Sequence, residues 1–218
     1  MRINPDNSVI RVMSAIFDVA VTYLLYIVCC LPVFTIGAAT TALHATMLSI
    51  AEDTCSGVLK KFFGAFKDDF KLSTGLWGIF AIAGAVVVTD VIICFGFEME
   101  QVNNVLYVMR GITVFCVVLY TLMLTYTFAG VAKFEVTWKQ ALRNALLFLV
   151  KFPLCSLGIL VLNAAVAISL YLAFIWALPV VMVLVYLQEL ILLYVFNKTL
   201  GIKRERTVRK KEETQFYE

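Results

Sequence analysis

Charge is scarce in this 218-residue chain: Asp, Glu, Lys and Arg together make up 15% of it, against about 25% in soluble domains. So few charges could not clothe a water-facing surface, and 62% of the residues are hydrophobic, with a mean hydropathy of +0.92. An ordinary cytosolic enzyme, a disordered tail, a nucleic-acid module and a secreted disulfide scaffold are all disfavoured on that ground. Histidine occurs once, as His44, which leaves no His and Cys set at metal-ligand spacing and few ways to pair a nucleophile with a base. The six cysteines contain no CxxC, and most lie in apolar runs, where cysteine behaves as a small hydrophobe. Phosphate-cradling glycine loops, HExxH and GxSxG are absent. No catalytic residue, cofactor, metal or nucleic-acid partner is therefore expected, and an integral membrane protein is.

A spanning helix needs roughly 20 predominantly apolar residues. Four stretches reach that length: Val19 to Ala51, Leu72 to Phe97 with Asp90 inside it, Gly111 to Ala132, and Phe152 to Gln188 continuing past Glu189. The first and last are too long for single spans. Proline removes a backbone donor and disfavours helix in the residue before it, so the divisions fall at Leu31-Pro32 and at Leu178-Pro179. At the first break, Thr35 is expected to cap the next helix and Gly37 to permit a tight turn. The reading is an all-α polytopic bundle of six helices over 16–34, 36–51, 72–97, 108–132, 153–178 and 180–197, with five spans as the alternative.

Basic residues in short loops stay on the cytoplasmic side. Six spans put all but Arg110 of the 18 basic residues on one side, so both termini are expected in the cytoplasm of a cell membrane. The long apolar run after Asp18 lacks a small-residue cleavage site, so no removable signal peptide is expected. Residues 1–197 form one transmembrane domain, and 198–218 form a basic cytoplasmic tail suited to anionic lipid or to a docking protein.

Two further segments lie between spans. In Val58 to Lys71, the apolar residues Leu59, Phe62, Phe63, Phe66 and Phe70 recur at helical spacing, with Lys60, Lys67 and Lys71 elsewhere. Trp138, Ala141, Leu142, Ala145 and Leu149 repeat the pattern, with Lys139 and Arg143 on the wet side. Both are expected as interfacial amphipathic helices on the cytoplasmic side. Phe62, Phe66, Lys67, Lys71, Trp138 and Arg143 are the candidate contacts for lipid or a partner. Their equivalent positions between spans also suggest a parallel repeat, or simply two braces on the bundle.

Leu31-Pro-Val-Phe-Thr-Ile-Gly-Ala-Ala-Thr-Thr-Ala-Leu43, followed by Phe62-Phe-Gly-Ala-Phe-Lys-Asp-Asp-Phe-Lys71 and Trp77, resembles the YesL family of bacterial membrane proteins over residues 15–80. That family has no assigned function. The resemblance implies a Gram-positive setting and genes beside sugar ABC transporters and glycan-degrading enzymes, hence an accessory of carbohydrate uptake partnered by permease subunits. It supplies no catalytic residues. A homo-oligomer in the bilayer is the other expected assembly.

Ionisable groups inside the bilayer are costly and call for a hypothesis. At about 1.5 Å per residue, His44, Glu189 and Asn163 fall near the midplane, with Gln188 beside Glu189 and Asp90 towards the outer end. His44, Asn163 and Glu189 could converge on a polar cavity that binds a solute or passes a proton, or could form a buried latch between helices. The small, polar second helix could pack tightly or line a pore. The break at Leu31, Pro32, Thr35 and Gly37 could leave backbone groups free to hold a ligand. A small transporter or channel is the alternative to the accessory.

Overall fold

The computed structural model describes residues 8–55, 57–96, 104–172 and 177–200. Among them helix is the only regular structure: α1 (Ser8–Cys29), a 3-10 turn (Val33–Thr35), α2 (Ile36–Ala51), α3 (Val58–Asp68), α4 (Phe70–Gly96), α5 (Asn104–Lys133), α6 (Trp138–Lys151), α7 (Pro153–Leu172) and α8 (Ala177–Leu200). Five segments are long and apolar enough to cross a membrane: Val33–Ala51, Phe70–Gly96, Tyr107–Lys133, Pro153–Leu172 and Pro179–Thr199. The apolar part of α1, Met13–Cys29, is shorter than these, so the first of the six expected spans falls short of the length of the other five. It is a separate helix all the same, turning back at Pro32 to pack against α2. The fold is a polytopic helical bundle. The basic tail beyond residue 200 and the expected loop around Glu98 and Glu100 lie outside the described residues.

The break differs in detail from expectation. Thr35 does not cap α2; its hydroxyl donates to the carbonyl oxygens of Cys29 and Pro32, each at 2.6 Å, satisfying acceptors that the end of α1 leaves open. Gly37 makes no turn. It lies in the first turn of α2, where a Cβ would stand 2.4 Å from the Ser73 carbonyl oxygen and 2.7 Å from the Trp77 Cβ. Glycine there lets two backbones meet, the role small residues play between membrane helices. Leu31 and Pro32 are exposed. Near the other predicted break, Pro179 falls in the first turn of α8, where a missing backbone donor costs least.

Polar, small α2 takes the centre. From Gly37 to Ile50 every residue but Thr40 is buried, and α1, α3, α4, α5 and α8 all pack on it. Its hydroxyls mostly turn back on its own carbonyls, as at Thr41, Thr46 and Ser49, while Thr41 and Ser73 hydroxyls meet across to α4 at 2.7 Å. By contrast α4 and α7 bury little of their apolar surface, as peripheral helices in lipid would. One core joins Leu48, Tyr126, Phe148, Ile159, Leu192 and Phe196, drawing α2, α5, α6, α7 and α8 together.

At one end of the bundle α3 packs back onto α2 and α6 back onto α5. Residues of a helix step round its axis by about 100°, and this sorts α3 into three sectors. Val58 and Phe62 are buried against the bundle, Leu59 and Phe63 are exposed beside them, and Lys60, Lys61 and Lys67 are exposed beyond. Such a helix belongs at an interface, one apolar sector inward and one towards acyl chains. The entry of α6 is fixed by a capping box, in which Thr137 and Gln140 satisfy each other's backbone donors.

Candidate functional site

Packing α8 alongside α2 brings His44 and Glu189 into contact, Nδ1 against Oε1. Glu189 is fully buried and His44 is 5% exposed. Position on the helices explains the meeting. His44 lies on the face of α2 turned to α8, one turn from Leu48, which packs in the same core as Leu192, one turn from Glu189. With one proton between Nδ1 and Oε1 the pair carries no net charge, whichever atom holds it, and a low-dielectric interior favours that condition. Oε2 of Glu189 has no hydrogen-bond partner among the described residues. The pair therefore ties α2 to α8 and leaves one buried acceptor open.

The other midplane candidates do not join it. The Asn163 side-chain amide donates to Thr125 Oγ1 of α5 at 3.4 Å, so the expected three-way convergence is replaced by a His44–Glu189 pair and a separate α5–α7 contact. Asn163 is drawn away because α7 packs against α5 and α8 and makes no substantial contact with α2. Gln188 is buried but sits about 100° round α8 from Glu189. Asp90 is at the far end of α4, accepting from the Thr113 hydroxyl at 2.8 Å with the Cys94 thiol at 4.0 Å. Nearby, Arg110 Nε donates to the Cys94 carbonyl at 3.0 Å and its guanidinium lies 5.4 Å from the Phe95 ring centre.

Of the surface candidates, Phe62 is not at the surface: it is fully buried, because it falls one turn after Val58 on the face turned to the bundle. Phe66 is half-buried, and Lys67, Lys71, Trp138 and Arg143 are exposed, with the Lys139 ammonium 5.1 Å from the Trp138 ring centre. Phe63, not Phe62, is the phenylalanine exposed beside Leu59. All six cysteines are free, and no group of His, Cys, Asp or Glu suited to a metal occurs among the described residues.

One contact and one cavity had no forewarning in the sequence. Lys133, at the end of α5, donates to Glu52 at the end of α2, 2.5 Å apart. A cavity of about 450 Å³ beside it is lined by Lys60, Lys61, Asp68, Asp69, Lys133 and Glu135. The carboxyl of Asp69 is raised above its ordinary range, by burial first and then by the charges of Asp68 and Glu135. Residues so far apart in the chain give no local signal.

The bundle and its buried pair define a multi-pass helical membrane protein. Residues 19–91, from the middle of α1 through most of α4, match a family described as a protein of unknown function, DUF624. No curated protein and no solved structure matches the chain.

Proposed function

We propose that the protein is an accessory subunit of a bacterial carbohydrate uptake system of the ABC type, of the YesL kind, held in the cytoplasmic membrane with both termini inside and performing no catalysis itself. The observation that carries this reading is the filled centre. The polar helix that would have to line a path is buried from Gly37 to Ile50 at every residue but Thr40, and its one ionisable group is matched by Glu189. The end bearing α3 and α6 instead offers partners a firm platform with Phe63, Lys67, Lys71 and Arg143 exposed. Affinity purification in mild detergent from a Gram-positive host, with mass spectrometry of what is retained, tests it. Sugar permease subunits should be retained, and lost when Phe63, Lys67 and Arg143 are changed together; recovery of the chain alone overturns the reading.

One observation favours a second reading, a small transporter: the open acceptor Oε2 of Glu189, fully buried beside His44. Solute or proton flux into liposomes, abolished by Glu189→Gln, is its signature.

A further inference from the structure

The cavity at the α3 end has opposite charges on its walls that do not neutralise one another. Lys133 is engaged by Glu52, whereas Lys60 and Lys61 have no ion-pair partner among the described residues, nor do Asp68, Asp69 and Glu135. Space is kept open between them by small residues on three helices, Ala45 of α2, Gly64 and Ala65 of α3, and Ala132 of α5. A Cβ built on Gly64 would meet nothing within 4 Å. The volume, about 450 Å³, is within the range of small-ligand sites. The exposed Leu59–Phe63 sector of α3 sets the cavity at the depth where lipid headgroups lie.

We propose that this cavity binds a compact zwitterion bearing a phosphate and a primary ammonium, the chemistry of phosphoethanolamine, whether free or as the headgroup of a lipid. Lys60 and Lys61 take the phosphate as paired point charges. The carboxylates of Asp68, Asp69 and Glu135 take the ammonium, whose three N–H donors match three acceptors. An isolated anion would meet the three carboxylates, and an isolated cation the two lysines; a zwitterion satisfies both signs of charge. The Asp69 carboxyl, raised by burial first and then by the charges of Asp68 and Glu135, is stabilised as a carboxylate by an ammonium beside it. Phosphocholine, with no N–H to donate, loses the carboxylate half of the site.

The test uses the full chain in two arms. In detergent, calorimetric titration compares phosphoethanolamine, phosphocholine and inorganic phosphate. In nanodiscs, native mass spectrometry asks which lipid stays bound when phosphatidylethanolamine and phosphatidylcholine are supplied in equal amounts. Binding of free phosphoethanolamine assigns the site to a soluble ligand, and retention of phosphatidylethanolamine alone assigns it to the lipid. In whichever arm binds, preference over the choline form should be about tenfold or more, and Gly64→Leu, which fills the space without touching a charge, should weaken binding by a similar factor. Asp69→Asn and the Lys60→Gln, Lys61→Gln double variant should each weaken it, one through the ammonium and the other through the phosphate. Equal binding of the choline form, no binding in either arm, or full binding by Gly64→Leu eluting as the parent does, overturns the proposal.

Discussion

Breaking the His44–Glu189 contact tests what holds the centre of the bundle. Both side chains are buried, Glu189 completely, and they meet each other through Nδ1 and Oε1. His44→Leu strands a carboxyl with no partner for either oxygen, since Oε2 already lacks one; Glu189→Leu strands an imidazole nitrogen. Removing one member of a buried ion pair costs about 3–5 kcal/mol in soluble proteins, while replacing both with apolar groups is often neutral. Hydrogen bonds between membrane helices couple by about 0.6 kcal/mol on average and about 1.7 kcal/mol at most. A double-mutant cycle therefore distinguishes the cases. Full-length parent, both single variants and the His44→Leu, Glu189→Leu double variant would be unfolded by SDS titration from mixed micelles, followed by circular dichroism. Each single variant should be clearly destabilised and the double variant should recover much of the loss. A coupling above about 1.7 kcal/mol identifies an ion pair, and one near 0.6 a neutral hydrogen bond. Single effects that add to within about 0.5 kcal/mol would refute the idea that the two residues hold α2 and α8 together.

Three other substitutions probe the packing and the charged end. Gly37→Ala drives a Cβ to 2.4 Å from the Ser73 carbonyl oxygen and should destabilise by about 1–3 kcal/mol as overpacking does, whereas Gly64→Ala, in open space, should be neutral or stabilising by up to about 1 kcal/mol; thermal midpoints in one detergent compare them. Thr137→Ala removes the capping box of α6 and should cost about 0.5–2 kcal/mol, read as lower hydrogen-exchange protection confined to α6. Asp69 has its carboxyl raised, chiefly by burial, so the folded state binds that proton more tightly than the unfolded chain. Its contribution is present below the unfolded value of about 3.9 and is lost as pH rises through the raised folded value. Asp69→Asn should flatten the fall in stability across that interval and exceed the parent at neutral pH, as a series of melts against pH will show.

Fold class was legible because it rests on quantities local in the chain: the length of apolar runs, the scarcity of charge, and the proline at the first break. The boundaries of α2 agree with the sequence reading, and α3 and α6 fall on the two segments whose apolar spacing marked them. Where reading failed, the missing quantity was the neighbour. Thr35 and Gly37 were assigned roles within their own turn, as a cap and a bend. One instead bonds back to carbonyls at the end of α1, and the other admits α4, a role that does not exist until that helix is in place. Amphipathic spacing puts Phe62 on an apolar face without saying how much of that face another helix will cover.

The same distinction governs the candidate site. Sequence alone marks His44 and Glu189 as costly groups at similar depth, since a charge in an apolar run is visible one residue at a time. Helix packing decides that they meet each other, that Asn163 goes to Thr125, and that Glu135 joins Lys60, Lys61, Asp68 and Asp69 around one cavity. Depth follows from counting residues along a helix, but azimuth and partner follow from how small side chains such as Gly37 let backbones approach, and that depends on every helix at once.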